Sequence, residues 1–172
     1  NKGLEVIEAR WLFNVRPEQI EVVIHPESVV HSLVEYIDGS VIAQLSPPDM
    51  RGPLHYCLHH PERAPSRLKG FDTELFSRLT FAEPDPERFP ALALGYRCID
   101  EGSDSGSVLN AADEIAVDAF LARRLALPDI ARVNGAVLDR RPDLSESISE
   151  LLRADGIARD LAREEIAALA GA

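Results

Sequence analysis

Proline is what most restricts this chain. It fixes φ and removes a backbone donor, so helix interiors and central strands do not tolerate it. SPPDMRGP (46–53) holds three prolines and a glycine, and proline keeps returning from about His59 to Pro90. The middle of the chain is therefore predicted to be irregular: a stiff loop able to fix a side chain such as Met50, then an extended connector over the surface. Regular structure is left to the stretches on either side.

Ahead of the loop, Leu4, Ile7, Trp11 and Leu12 recur at steps of three and four, which predicts a helix with one apolar face, closed by Pro17. IEVVIH (20–25) is rich in β-branched residues and short for a helix, and is predicted as a strand. VVHSLVEY (29–36) and SVIAQL (40–45) follow as two more strands. Asp38-Gly39 between them supplies the positive φ of a tight turn, so that pair is predicted to be antiparallel. Beyond Pro90 the pattern becomes helical. Asn110 is read as an N-cap ahead of a stripe of Ala112, Ile115, Ala116, Ala119 and Phe120. A second stripe comprises Ile130, Val133, Val137 and Leu138. Asp143 and Glu146 read as a capping pair before Ile148, Leu151 and Leu152, and Gly156 as a break before a last helix. The expected class is α+β: a helix with a small antiparallel or mixed sheet, followed by an all-α C-terminal bundle.

Charge and cysteine usage exclude several functions. A net charge of -11 gives no clustered Lys and Arg for a phosphate backbone, so no nucleic-acid partner is expected. No apolar run approaches the roughly 20 residues that span a bilayer, so no membrane partner is expected. The chain does not open on a charged-then-apolar signal segment. Cys57 and Cys98 lie far apart with no CxxC spacing, as in a reduced, cytoplasmic protein.

Two constellations could carry chemistry. Asn1, Lys2 and Glu5 share a helix face, where spare N–H groups and Lys2 favour an anion, while Glu5 calls for a cation or a proton-transfer step. The same three residues could equally be a solvated helix start with an ordinary Lys–Glu pair. HPESVVHS (25–32) groups two His and two Ser, with His31 and Val29 on one face of a strand and Ser32 on the other. His25 and Ser28 fall at the strand edge. A structural, hydrogen-bonded histidine is the plain alternative. His59-His60 reads as a solvated pair, and Met50 as core filler or the apolar wall of a ligand site.

Taken together, NKGLEVIEARWLF, IHPESVVHSLVEYIDGSVIAQLSPPDMR and LNAADEIAVDAFL resemble the 1-deoxy-D-xylulose-5-phosphate reductoisomerase family. The resemblance runs collinearly from Asn1 to the C-terminus. It implies that residues 1–58 are the second half of a catalytic domain, 59–86 a Pro-rich linker and 87–172 a C-terminal helical bundle. It also implies an NADPH- and metal-dependent isomerisation and reduction of 1-deoxy-D-xylulose 5-phosphate to 2-C-methyl-D-erythritol 4-phosphate, in isoprenoid precursor synthesis.

The implied roles fall on individual residues. Asn1 and Lys2 match a pair that binds the phosphorylated substrate. Glu5 matches a carboxylate that ligates Mg²⁺ or Mn²⁺ and contacts substrate. His31 matches a histidine of the reaction site, Ser28 a further substrate contact, and Met50 a residue lining the pocket by the nicotinamide. The resemblance also implies that the NADPH site lies mostly in an N-terminal domain outside this chain, together with the other metal carboxylates, and no GxGxxG-type turn follows a strand here. The 172 residues alone are accordingly expected to be inactive. The family resemblance further implies a homodimer, and a cytoplasmic site, or a plastid one in a plant or alga. The rival is a non-catalytic interaction or structural domain derived from the same scaffold. A metal-dependent phosphoesterase ranks below both, since no second acidic ligand stands at convincing spacing from Glu5.

Overall fold

The computed structural model describes residues 1–170. In chain order the elements are α1 (Lys2–Phe13), a 3-10 turn (Pro17–Gln19), β1 (Val30–Glu35), β2 (Val41–Leu45), α2 (Arg51–His59), α3 (Ala91–Glu101), α4 (Ser105–Leu121), α5 (Leu127–Asp139) and α6 (Ile148–Ala170). They fall into two compact units, one of residues 1–21 with 85 onward, the other of 22–84. Helices with one two-stranded sheet make an α+β chain, and among the described residues that sheet is antiparallel, not mixed. The last two residues of the expected 87–172 bundle lie outside the described residues. Among the described residues, no helix is long and apolar enough to cross a membrane.

The helical unit is built on small side chains. Ala112, Ala116 and Ala119 of α4 and Ala154, Ala158 and Ala162 of α6 are fully buried. Recurring at near-helical spacing, they let two backbones approach closely, with Val108, Val133, Val137 and Leu138 filling the volume alongside. Leu4 and Ile7 of α1 pack against this core. Trp11 and Leu12, expected on the same face, are instead about two-thirds exposed. Asn14 takes a left-handed conformation at φ 50° and stops α1 before Pro17 is reached.

Three further expectations are corrected. α4 begins at Ser105, so Asn110 lies inside the helix. The start is set by tertiary bonds: Ser105 Oγ donates to Cys98 O (2.8 Å), and the fully buried Asp104 accepts the Leu144 N–H (2.8 Å). Nor do Asp143 and Glu146 cap α6. Ser147 Oγ accepts the Glu150 N–H (3.3 Å), and Asp143 sits in a left-handed turn. Gly156 breaks nothing, because the buried alanine stripe runs through it and outweighs the roughly 1 kcal/mol a helical glycine costs.

In the second unit the hairpin forms as expected. Gly39 has φ 80°, its N–H bonds Tyr36 O, and Asp38 Oδ1 accepts the Ser40 N–H (2.9 Å). IEVVIH makes no strand; only Ile24 forms an isolated bridge, to Ala82. A fastening closes around that bridge. His25 Nδ1–H donates to Thr80 O (2.8 Å) and stacks on Phe81 at 4.7 Å. The Glu27 carboxylate accepts the Thr80 hydroxyl, which holds its pKa below the usual range. The stretch after His59 is turns and extended chain, and α2 begins inside the segment expected to be wholly irregular.

Candidate functional site

Asn1 is the N-cap of α1, and its carbonyl accepts the Glu5 N–H (3.0 Å). Its side chain does not fold back on the helix start, as a capping amide usually would. Instead Asn1 Nδ2 and Lys2 Nζ donate to the two oxygens of Glu5, one each. The sequence placed these residues on one face, and the structure brings all three into direct contact. The hydrogen bond and charge of Lys2 hold the Glu5 carboxyl below its usual pKa, with Asn1 adding to the effect against partial burial. The result is an ionised carboxylate, still partly exposed, between an amide and an ammonium.

A glycine contact fixes where that triad stands. Gly3 of α1 lies against Gly95 of α3, and a β-carbon on Gly95 would come within 2.5 Å of Gly3 O. Only two glycines permit such a crossing, so the helix start is seated backbone to backbone.

In the other unit, His31 occupies an unexpected position. Val30 pairs with Leu45 but Ser32 with Gln44, so one residue too many faces β2 and His31 is the bulged one. The bulge breaks the alternation the sequence implied: Val29 is buried, whereas His31 is exposed. His31 Nε2–H donates to Ser46 O (3.0 Å), which leaves Nδ1 with the lone pair in the neutral ring. Ser28 is exposed in the preceding turn at φ 52°, its N–H bonded to His25 O. Met50 is the N-cap of α2 and 71% exposed, so it is not core filler. On its two sides Asp49 and Arg51 pair; Asp49 Oδ1 accepts the Arg51 N–H (2.9 Å), and Arg51 draws the Asp49 pKa down to about 2. The Asp-x-Arg spacing around Met50 carries that signal in the sequence.

Glu5 can supply one anionic oxygen to a hard divalent cation. Among the described residues no group of three or more His, Cys, Asp and Glu side chains could hold a metal ion. Glu5 therefore fits as one ligand of a site needing further oxygens from elsewhere.

Residues 45–161 match the family model described as DXP reductoisomerase C-terminal domain. The chain is 52% identical over 165 residues to the 1-deoxy-D-xylulose 5-phosphate reductoisomerase of Geobacter sp. strain M21, covering 95% of this chain and 43% of that protein. It is 53% identical over 169 residues to the enzyme of Aromatoleum aromaticum, covering 98% of this chain and 42% of that protein. Among solved structures, the Zymomonas mobilis reductoisomerase in complex with NADPH superposes with a TM-score of 0.89 at 41% identity, over 96% of this chain and 44% of that one. A reductoisomerase complex with NADPH, fosmidomycin and magnesium gives 0.90 at 42% identity, over 98% and 44%. The chain thus spans less than half the length of the curated relatives it matches.

Proposed function

We propose, from the premise that this chain belongs to the DXP reductoisomerase C-terminal domain family, that it forms part of an NADPH- and divalent-metal-dependent reductoisomerase. The reaction would convert 1-deoxy-D-xylulose 5-phosphate to 2-C-methyl-D-erythritol 4-phosphate. The observation that carries the proposal is the Asn1–Glu5–Lys2 contact at the start of α1. It is supported by the identity with named reductoisomerases and by the likeness to complexes with NADPH and magnesium.

In this proposal Lys2 and Asn1 bind the phosphorylated substrate, by charge and by amide hydrogen bonds, assisted by the free N–H groups of the first helical turn. Glu5 would contribute one oxygen ligand to Mg²⁺ or Mn²⁺, from the carboxylate that here accepts from Asn1 and Lys2. A bound divalent ion would stabilise negative charge developing on substrate oxygens. His31 presents Nδ1 as an acceptor for a substrate hydroxyl, held in that tautomer by Ser46 O. Ser28 offers a hydroxyl, and Met50 an exposed apolar surface beside the nicotinamide. No nicotinamide-binding turn is assigned within these residues. The division at 1–58, 59–86 and 87–172, a homodimer and a cytoplasmic location complete the proposal.

The test uses the full-length protein that contains this chain. It should oxidise NADPH only when 1-deoxy-D-xylulose 5-phosphate and Mg²⁺ or Mn²⁺ are both present, with the product identified by mass. NADPH oxidation independent of the added metal, or none with this substrate, would overturn it.

A further inference from the structure

Two histidines of α2 stand one helical turn apart, His55 and His59, on a face that the adjacent pair His59-His60 obscures in the sequence. Their rings lie 4.3 Å apart between centroids and 30° from parallel. His59 Nδ1–H donates to the backbone carbonyl of His55 (2.8 Å). That bond fixes the neutral tautomer with its lone pair on Nε2, and a ring held through its other nitrogen by a carbonyl is the usual arrangement of a metal-binding imidazole. His59 is exposed and His55 half-buried, so both can be reached from water. His60 is turned elsewhere, its ring edge-on to Tyr56 at 5.6 Å.

We propose that His55 and His59 form a two-point site for a borderline divalent transition-metal ion, Cu²⁺ binding more tightly than Ni²⁺ or Zn²⁺, with water filling the remaining positions. Positions i and i+4 of a helix face the same way, so the two imidazoles are near enough to share one ion once the His55 ring turns out of the stack. Imidazole suits Cu²⁺, Ni²⁺ and Zn²⁺, while Mg²⁺ and Mn²⁺ prefer oxygen donors. No third protein ligand is required, in keeping with the lack of any three-residue metal cluster among the described residues. A bound ion clips the last turn of α2 to the turn before it. It therefore strengthens the helix whose N-cap is Met50.

The site is tested on the 172-residue chain by calorimetric titration with CuCl₂, NiCl₂, ZnCl₂ and MgCl₂ separately, and by electron paramagnetic resonance of the Cu²⁺ complex. One Cu²⁺ per chain with splitting from two imidazole nitrogens is expected, and no binding of Mg²⁺. His55→Gln and His59→Gln should each weaken Cu²⁺ by about tenfold or more, whereas His60→Gln should leave it unchanged. Circular dichroism checks each fold; if His55→Gln loses helix, His59→Gln at the exposed helix end decides. Unchanged Cu²⁺ affinity in His59→Gln, or an equal loss in His60→Gln, would overturn the site.

Discussion

Gly3 of α1 and Gly95 of α3 cross with no side chain between them, and a β-carbon on Gly95 would lie 2.7 Å from Gly3 Cα. Backbone cannot yield as a flexible side chain does, so Gly95→Ala must push the two helices apart. Overpacking of this kind costs about 1–3 kcal/mol, and this site should fall at the upper end. Urea unfolding should show the loss at unchanged slope. Because Gly3 sits between Lys2 and Glu5, the function proposed above predicts that Gly95→Ala also lowers turnover of the full-length protein. Wild-type stability in Gly95→Ala would mean the crossing is looser than described.

The Glu5 carboxyl should titrate below the usual glutamate range, and Lys2→Ala should bring it back up, since Lys2 is the first cause of the shift. Carbon-detected NMR across acid pH reads this directly. The sign for stability follows. With the folded pKa below the unfolded one, the contribution is present above the unfolded value and is lost as pH falls through the folded value. Lys2 and Glu5 are both about half exposed, so solvent keeps that contribution small. On the function proposed above, Glu5→Gln in the full-length protein should lower metal affinity and turnover together, whereas Lys2→Ala should mainly raise the KM for substrate. Turnover within a few-fold of wild type in Glu5→Gln would remove Glu5 from the metal site.

Arg141→Met should destabilise the helical unit by about 3 kcal/mol, since it strands a buried anion. Asp104 is fully buried, one oxygen bonded to Leu144 N–H and the other 3.3 Å from Arg141 Nε, while Arg141 also pairs with Glu101. The double variant Asp104→Asn with Arg141→Met should recover part of that loss, as it removes the charge as well as its partner. A double variant less stable than Arg141→Met by the full cost of Asp104→Asn would show that the two groups do not interact.

Local chemistry was the legible part of this chain. Asp38-Gly39 names its turn because the positive φ is needed wherever the strands end up. The contact of Asn1, Lys2 and Glu5 follows from helical spacing alone. What the sequence concealed depends on distant partners. The start of α4 is set by Cys98 and Leu144 rather than by the capping preference of Asn110. The buried residues of α1 are Gly3 and Val6, while Trp11 is exposed, and the glycine that seats the helix carries no hydrophobic signal. The bulge at His31 has no composition of its own, since it is a mismatch between two strands and belongs to neither.

The two cysteines should react very differently. Cys98 is buried in the core and its Sγ–H donates to Ser105 O (3.5 Å). Burial pushes its pKa up to about 11, against smaller opposing effects from Ser105, Arg97 and Arg141. The thiolate is the nucleophile, so at pH 8 Cys98 offers about one thousandth of itself in reactive form, and that fraction lies out of reach. Cys57 is exposed on α2. Iodoacetamide at pH 8 should therefore add one equivalent quickly, at Cys57, and the second only after the helical unit opens in denaturant. Peptide mapping by mass spectrometry separates the two sites. Equal labelling of Cys98 and Cys57 in native buffer would mean that the α3–α4 contact opens readily, and the packing described for the helical unit would not stand.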